Sequence, residues 1–260
     1  MRYLFGFMCV LALGVMPMLG CSETTGDGGV GGSAGTGGTG GSAGSGGTAT
    51  LTLLAMEFDE EEKRVPLLGV RVCETGTTNC AVTDASGPAI LQLPADQETS
   101  YTQEKEGYGA ELRADIIPAI VGSTVIPIMR PDAWLEDMYE RVTSPYPMEA
   151  TGTIFIQVAG GSSIDGSIPG ATLDLIGTTG KAFYLDEDGN WSTDPTATTS
   201  SGGGGFVEVT PGEYQIQIGG AAENCRLIRA WPGDSENRIR LPVREGYETT
   251  ARVDCDEAVP

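Results

Sequence analysis

The chain contains no histidine. That removes the commonest general base at neutral pH, the Ser-His and Cys-His nucleophile pairs, and the usual nitrogen ligand for zinc. What remains for chemistry is oxygen and sulfur: 36 Asp and Glu residues against 15 Lys and Arg, and six cysteines. Without histidine, the plausible hydrolytic arrangement is a pair of carboxylates acting on a glycoside, one as acid and one as base or nucleophile. Among so many acids, spacing alone singles out no pair. A carboxylate-dependent glycoside hydrolase therefore stands only as an alternative, and the expectation is a protein that is not an enzyme.

The sharpest local cluster is Asp186-Glu187-Asp188-Gly189-Asn190. Asp186, Asp188 and Asn190 could supply oxygen ligands to calcium, with Asp194 and Glu208 completing a shell, which would make a calcium-stabilised matrix protein. The glycine follows two alternating ligands where an EF-hand loop needs three. Asp-Gly between Phe183-Tyr184-Leu185 and Trp191 is also a strong hairpin turn signal, and the turn is the preferred reading.

The net charge of -21 excludes a further class of partner. Such a surface repels phosphate backbones and has no basic stripe to displace counterions, so no nucleic acid is expected. Cations, basic proteins or plain solubility are the better explanations.

The elements that would carry these residues begin with a leader. Residues 1–20 hold Arg2 and then an apolar run broken by Gly6, Gly14 and Pro17, too short and interrupted for a membrane span of about 20 residues. The run ends Met18-Leu19-Gly20-Cys21, which resembles the lipobox of bacterial lipoproteins, with Met18 and Leu19 in place of the usual leucine and small residue. The resemblance implies a signal peptide over 1–20, lipidation of Cys21, and a membrane partner reached through the lipid anchor. Ser22, rather than Asp, follows the cysteine, which in such lipoproteins favours the outer membrane of the cell envelope. The alternative is an ordinary signal peptide with an incidental thiol.

From Ser22 to Ala49 the chain is Gly, Ser, Thr and Ala with almost no apolar side chain, so nothing offsets the entropy of ordering it. Residues 21–49 are expected to be a disordered linker, spanning about 30 Å as a flexible coil. A phosphate cradle would need a Gly-Lys-Ser/Thr ending that is not present.

With Cys9 in the leader and Cys21 lipidated, four cysteines remain, and an exported protein would oxidise them into two disulfides with three possible connectivities. Keeping each pair within one module selects Cys73 with Cys80 and Cys225 with Cys255. Zinc is disfavoured, since neither a Cys-x-x-Cys pair nor a histidine is present.

Short alternating strands separated by turn residues fill both remaining segments. Leu51 and Leu53, Val70 and Val72, then Ala89–Leu93 mark the first, over 50–130. Ile154, Ile156 and Val158, then Leu173 and Leu175, then Tyr214, Ile216 and Ile218 mark the second, over 151–260. The acidic run 59–64 reads as a solvated hairpin tip. Between the segments, in 131–150, Trp134, Leu135, Met138 and Val142 fall at helical spacing, on a face expected to pack against a sandwich.

Pro66-Leu67-Leu68-Gly69-Val70, Thr83-Asp84-Ala85-Ser86-Gly87, Leu93-Pro94-Ala95-Asp96 and Gly107-Tyr108 resemble the carboxypeptidase regulatory-like, transthyretin-type β-sandwich. Pro169-Gly170 and Thr210-Pro211-Gly212-Glu213-Tyr214 repeat the likeness. The fold expected is all-β: two Greek-key β-sandwich modules in tandem after the glycine-rich tether, with one short helix between them. The motifs are turn chemistry and imply no reaction. The expectation is an envelope lipoprotein acting as a non-catalytic spacer, adhesion or ligand-binding module, with a polysaccharide or envelope protein as its partner. Trp191 and Trp231 could stack on sugars, though buried core rings are the commoner use.

Overall fold

The computed structural model of the protein describes residues 47–58, 65–85, 87–160 and 167–255. The leader, Cys21, nearly all of the tether and the acidic run 59–64 lie outside these residues.

The period-two patterns become strands. Ahead of the helix these are β1 (Thr48–Leu53), β2 (Met56–Glu57), β3 (Val65–Pro66), β4 (Arg71–Glu74), β5 (Cys80–Val82), β6 (Ala89–Pro94), β7 (Glu98–Glu104), β8 (Ala110–Ile116), β9 (Ser123–Val125) and β10 (Ile128–Met129). The helix α1 (Asp132–Arg141) follows. After it come β11 (Gly152–Gly160), β12 (Ala171–Ile176), β13 (Lys181–Leu185), β14 (Trp191–Ser192), β15 (Gly203–Val209), β16 (Gly212–Gly220), β17 (Arg226–Arg229), β18 (Trp231–Pro232), β19 (Arg238–Val243) and β20 (Tyr247–Cys255). The described residues are thus nearly all β, with one short helix.

One sheet runs through the described residues. Its order is β14-β13-β15-β11-β20-β8-β7-β4-β5, with β17 also paired to β20. The joint is parallel: Tyr247–Thr250 of β20 lies against Ala110–Arg113 of β8, while the other edge of β20 pairs in parallel with β11. Strands from either side of the helical connector therefore share one ladder.

Alternation along β8 decides what covers each face. Ala114 points into the core of Ile154, Ile156, Ile216, Ile239 and Val253. Arg113 points the other way, beside its β7 partner Tyr101, which belongs to the core of Leu51, Leu53, Val72, Leu91 and Leu93. The sheet β6-β1-β9 thus packs on one face of the shared sheet and β12-β16-β19-β18 on the opposite face, making a sandwich at each end.

Helix α1 closes the face that β12-β16-β19-β18 leaves open. Leu135, Met138, Tyr139 and Val142 are buried against Phe183, Trp191 and Val207. Asp132 in the first turn and Arg141 in the last complement the helix dipole. Thr143, at φ 54°, ends the helix in the left-handed region, and Ser144 N–H donates to the Tyr139 carbonyl. Leu135 packs over the bare backbone of Gly109, where a Cβ would meet its Cδ1 at 2.2 Å. Gly205 has the same role on β15, where a Cβ would lie 1.8 Å from the Ile154 carbonyl oxygen.

Two disulfides tie the strands. Cys73 bonds Cys80, its directly opposite neighbour on β5, and Cys225 bonds Cys255 at the end of β20. By loop-closure entropy the second, spanning 30 residues, contributes about 3.5 kcal/mol and the first about 2.5 kcal/mol.

Candidate functional site

The densest concentration of chemistry is buried at the β8–β20 joint. Parallel register sets Glu248 of β20 opposite Glu111 of β8, and Glu111 opposite Gln103 of β7. All three sit on the face that carries Arg113 and Tyr101. Each carboxylate has its own arginine. Arg113 donates to Glu111 Oε2 from Nε at 3.2 Å and from Nη2 at 2.8 Å, with both side chains 6% exposed. Arg130, just past β10, donates to Glu248 Oε1. Its guanidinium also lies over Phe155 at 5.0 Å and Trp134 at 5.4 Å, so the connector is pinned to the sheet.

Burial governs the electrostatics. Desolvation pushes the Glu248 carboxyl above the usual carboxylate range, Arg130 opposes this, and Glu111 reinforces it. Asp115, two residues beyond Arg113, is likewise raised by burial against the pull of Arg229 and Arg113. The Tyr139 phenol is raised well above its ordinary value, by burial first and the Glu248 charge second, and its hydroxyl shares a 2.7 Å hydrogen bond with Thr153.

Two carboxylates on adjacent strands are the raw material of glycoside hydrolysis, but access decides against it here. The cavity between Glu111, Glu248, Arg130, Tyr139 and Tyr146 has a volume of about 20 Å³, room for one water and none for a sugar ring. Glu111 and Glu248 are each 5% exposed. Glu248 Oε2, Arg113 Nη1, Thr250 Oγ1 and the Gln103 amide have no protein hydrogen-bond partner, the setting in which buried water bridges polar groups. The arrangement holds two carboxylates as counter-ions in a closed joint.

None of Glu111, Arg113, Arg130 or Glu248 stands out in the sequence. Glu111-x-Arg113-x-Asp115 has the alternation of a solvated strand face, and it becomes interior only through distant neighbours: β20 and α1 beside Glu111, Tyr101 beside Arg113 and Arg229 beside Asp115. A trace of the signal lies in β8 itself, where Leu112 and Ala114 on the other face are fully buried.

The acidic cluster after β13 folds as a turn. Asp186 Oδ1 accepts the backbone N–H groups of Asp188 at 3.0 Å and Asn190 at 2.9 Å, and Asp186 N–H donates to the Asn190 carbonyl. Gly189, at φ +83°, supplies the left-handed position. Asp194 N–H donates to Ser192 Oγ, and Glu208 is an exposed residue at the β11–β15 bulge. Among the described residues no group of three or more acidic or cysteine side chains could hold a metal ion.

Trp191 and Trp231, the two tryptophans that could stack on sugars, are core residues. Trp191 is 2% exposed and stacks on Phe183 at 4.2 Å. Trp231 is 9% exposed and packs in the core beside Ala114. Neither presents a ring to a sugar. No helix among the described residues is long and apolar enough to cross a membrane. Cys21 lies outside the described residues.

No family model matches the chain. No curated protein matches it either. Solved structures with some likeness include the Bacillus anthracis TIE protein, at 13% identity and TM-score 0.27, covering 80% of this chain and 34% of that one. The minor pilin GBS52 of Streptococcus agalactiae aligns at 13% identity and TM-score 0.24, over 82% of this chain and 97% of its own. The shaft pilin SpaA of Lactobacillus rhamnosus GG aligns at 12% identity and TM-score 0.25, over 82% and 100%. This chain spans about a third of the TIE protein's length, and at these scores none of the three superposes closely on it.

Proposed function

We propose that the protein is a cell-envelope lipoprotein, anchored through Cys21, in which a rigid non-catalytic β module is held off the membrane by the tether to act as a spacer, adhesion or ligand-binding unit. The observation that carries this reading is the order of features in the sequence: an apolar leader, Gly20-Cys21, then a polar, glycine-rich stretch, then strand patterning from residue 50. A diacylglycerol plus an amide-linked acyl chain suffices for stable anchoring, at about 0.8 kcal/mol for each buried methylene. The module suits such a place. Its shared sheet and two disulfides resist local opening, and its most reactive-looking carboxylates are closed to substrate. The regulatory-like sandwich resemblance belongs to this reading, as does placement in an outer membrane.

Fractionation tests it. Wild-type protein expressed with its leader is expected in the membrane fraction, and Cys21→Ala is expected in the soluble fraction. A Cys21→Ala protein that remains membrane-bound would remove the anchor from the account.

A further inference from the structure

The sheet β6-β1-β9 carries no charge in a molecule of net charge -21. Residues 47–55, 88–95 and 116–129, which supply its three strands and their flanks, contain no Asp, Glu, Lys or Arg, although charged residues make up 20% of the chain. Alternation buries the leucines of β1 and β6 and turns Thr50, Thr52, Ile90, Gln92 and Thr124 outward. Thr52 lies in register between Ile90 and Thr124, and Gln92 Nε2 donates to Thr50 Oγ1 at 3.1 Å.

At one end of this sheet two apolar side chains stand in solvent. Ile120 and Val121, 97% and 80% exposed, are the most exposed large apolar residues among those described. The turn that carries them, ahead of β9, is braced by its backbone. Gly122 N–H donates to the Pro118 carbonyl at 3.0 Å, Ala119 N–H to Asp96 Oδ1 at 3.2 Å, and Asp96 N–H to the Ile117 carbonyl at 2.8 Å. Gly122, at φ +63°, lets the turn close on β1, where a Cβ would lie 2.5 Å from the Thr50 carbonyl oxygen.

The stretch that follows Cys21 joins the module at the same end. The described chain begins at Gly47, whose carbonyl accepts the Ala95 N–H at 3.0 Å, and Ala95 pairs with Ile117 at the foot of the turn. β1 and β9 run parallel, so the start of β1 and the turn before β9 lie together. The nearby acids are engaged, Asp96 by the turn and Glu98 by Arg240.

We propose that Ile120 and Val121 dock on the lipid bilayer that carries the anchor, with this uncharged end of the module facing the headgroups. The proposal rests on the anchor at Cys21 and adds the face that the module turns toward the membrane. Membrane surfaces carry anionic lipid, which repels an acidic module everywhere except where that module has no charge. Two aliphatic side chains bind lipid weakly by themselves, and the tether compensates by holding them at an effective concentration that is roughly millimolar for a short linker. The contact is reversible, so the module alternates between resting on the bilayer and standing off it at the tether's length.

The test uses the full chain, expressed with its leader, purified with its lipid and reconstituted into phosphatidylcholine vesicles with or without brominated acyl chains. Flotation reads the anchor, and bromine quenching of an introduced tryptophan reads the docking. Ile120→Trp is compared with Glu187→Trp, on the exposed turn at the far edge of the shared sheet, so that each protein carries one new surface indole over the wild-type background. Folding of each variant is checked by circular dichroism. Ile120→Trp is expected to be quenched about twofold more than Glu187→Trp, and adding Val121→Asp is expected to remove the excess. Protein that does not float removes the anchor and this proposal with it. Protein that floats, with equal quenching at the two positions, overturns the docking and leaves the anchor standing. Excess quenching that survives Val121→Asp would show that the apolar turn does not make the contact. A Cys21→Ala protein that forms a dimer split by Val121→Asp would assign the turn to a second copy of the chain in place of the bilayer.

Discussion

The indole nitrogen of Trp231 donates a 3.0 Å hydrogen bond to the carbonyl oxygen of Thr99, joining residues 132 positions apart. The ring is buried beside Ala114 of β8, so β18 reaches across the joint and closes on the far side of the helical connector. Nearby, Arg240 of β19 pairs with Glu98 of β7 as well as with Glu213 of β16. These contacts and the β8–β20 ladder make the two sandwiches one mechanical body.

One cooperative transition is therefore expected when the protein unfolds in urea, the same by tryptophan fluorescence as by far-UV circular dichroism. Trp231→Ala is expected to cost about 3–5 kcal/mol by opening a cavity at the joint, and to lower the single midpoint. Two separated transitions in the wild type would contradict a shared sheet that unfolds as a unit.

The buried ion pair is expected to be costly to break and cheap to replace. Arg113→Met leaves Glu111 buried without its partner, for a loss of about 3–5 kcal/mol. Adding Glu111→Gln removes that stranded charge, so the double variant is expected to be more stable than Arg113→Met alone. Additive losses in a double-mutant cycle would show that the two side chains do not act as a pair.

The pH dependence has a definite sign. Glu248 and Asp115 both have folded-state pKa values raised above those of the unfolded chain, chiefly by burial. The folded form thus holds its protons more tightly. The stability these groups contribute is fully present below the unfolded carboxylate pKa of about 4 and is lost as pH rises through the raised folded values. Relief of the net charge of -21 acts in the same direction. The urea midpoint is expected to be higher at pH 5 than at pH 7, and a lower midpoint at pH 5 would contradict the buried-carboxylate account. At the alkaline end, Tyr247 is raised to about 12 by burial and its hydrogen bond to Glu104, so what it contributes is lost as pH climbs from about 10 through that value.

The turn at residues 186–190 is expected to ignore calcium. Asp186 Oδ1 is already shared by two backbone N–H groups, and an oxygen cage would have to break that geometry to gather more ligands. Melting temperatures in millimolar calcium and in chelator should coincide. A rise of several degrees with calcium, lost in Asp188→Asn, would favour the ion-binding reading over the turn alone.

Sequence patterning located much of this fold because burial on one face writes itself into alternate residues. Leu51 and Leu53, Val70 and Val72, and Ile154, Ile156 and Val158 are all buried, and Leu135, Met138 and Val142 pack inward from α1 as their spacing requires. The joint was not legible. Which strand lies beside β8 is set by Tyr247–Thr250, more than 130 residues later, and no local pattern encodes that pairing. For the same reason Glu111, Arg113 and Glu248 look like solvent-facing charges, although their neighbours in space enclose them. At Asp186-Glu187-Asp188-Gly189-Asn190 the preferred turn is what forms, with Asp186 Oδ1 accepting the turn's own amides, a use that carboxylate spacing alone does not separate from metal ligation.

Mass spectrometry of the amino-terminal peptide of the membrane-associated protein reads the state of Cys21 itself. The account predicts a mature chain that begins at Cys21 and carries a diacylglyceryl thioether and an acylated amine. A mature chain with an unmodified Cys21, or one cleaved at another residue, would contradict it.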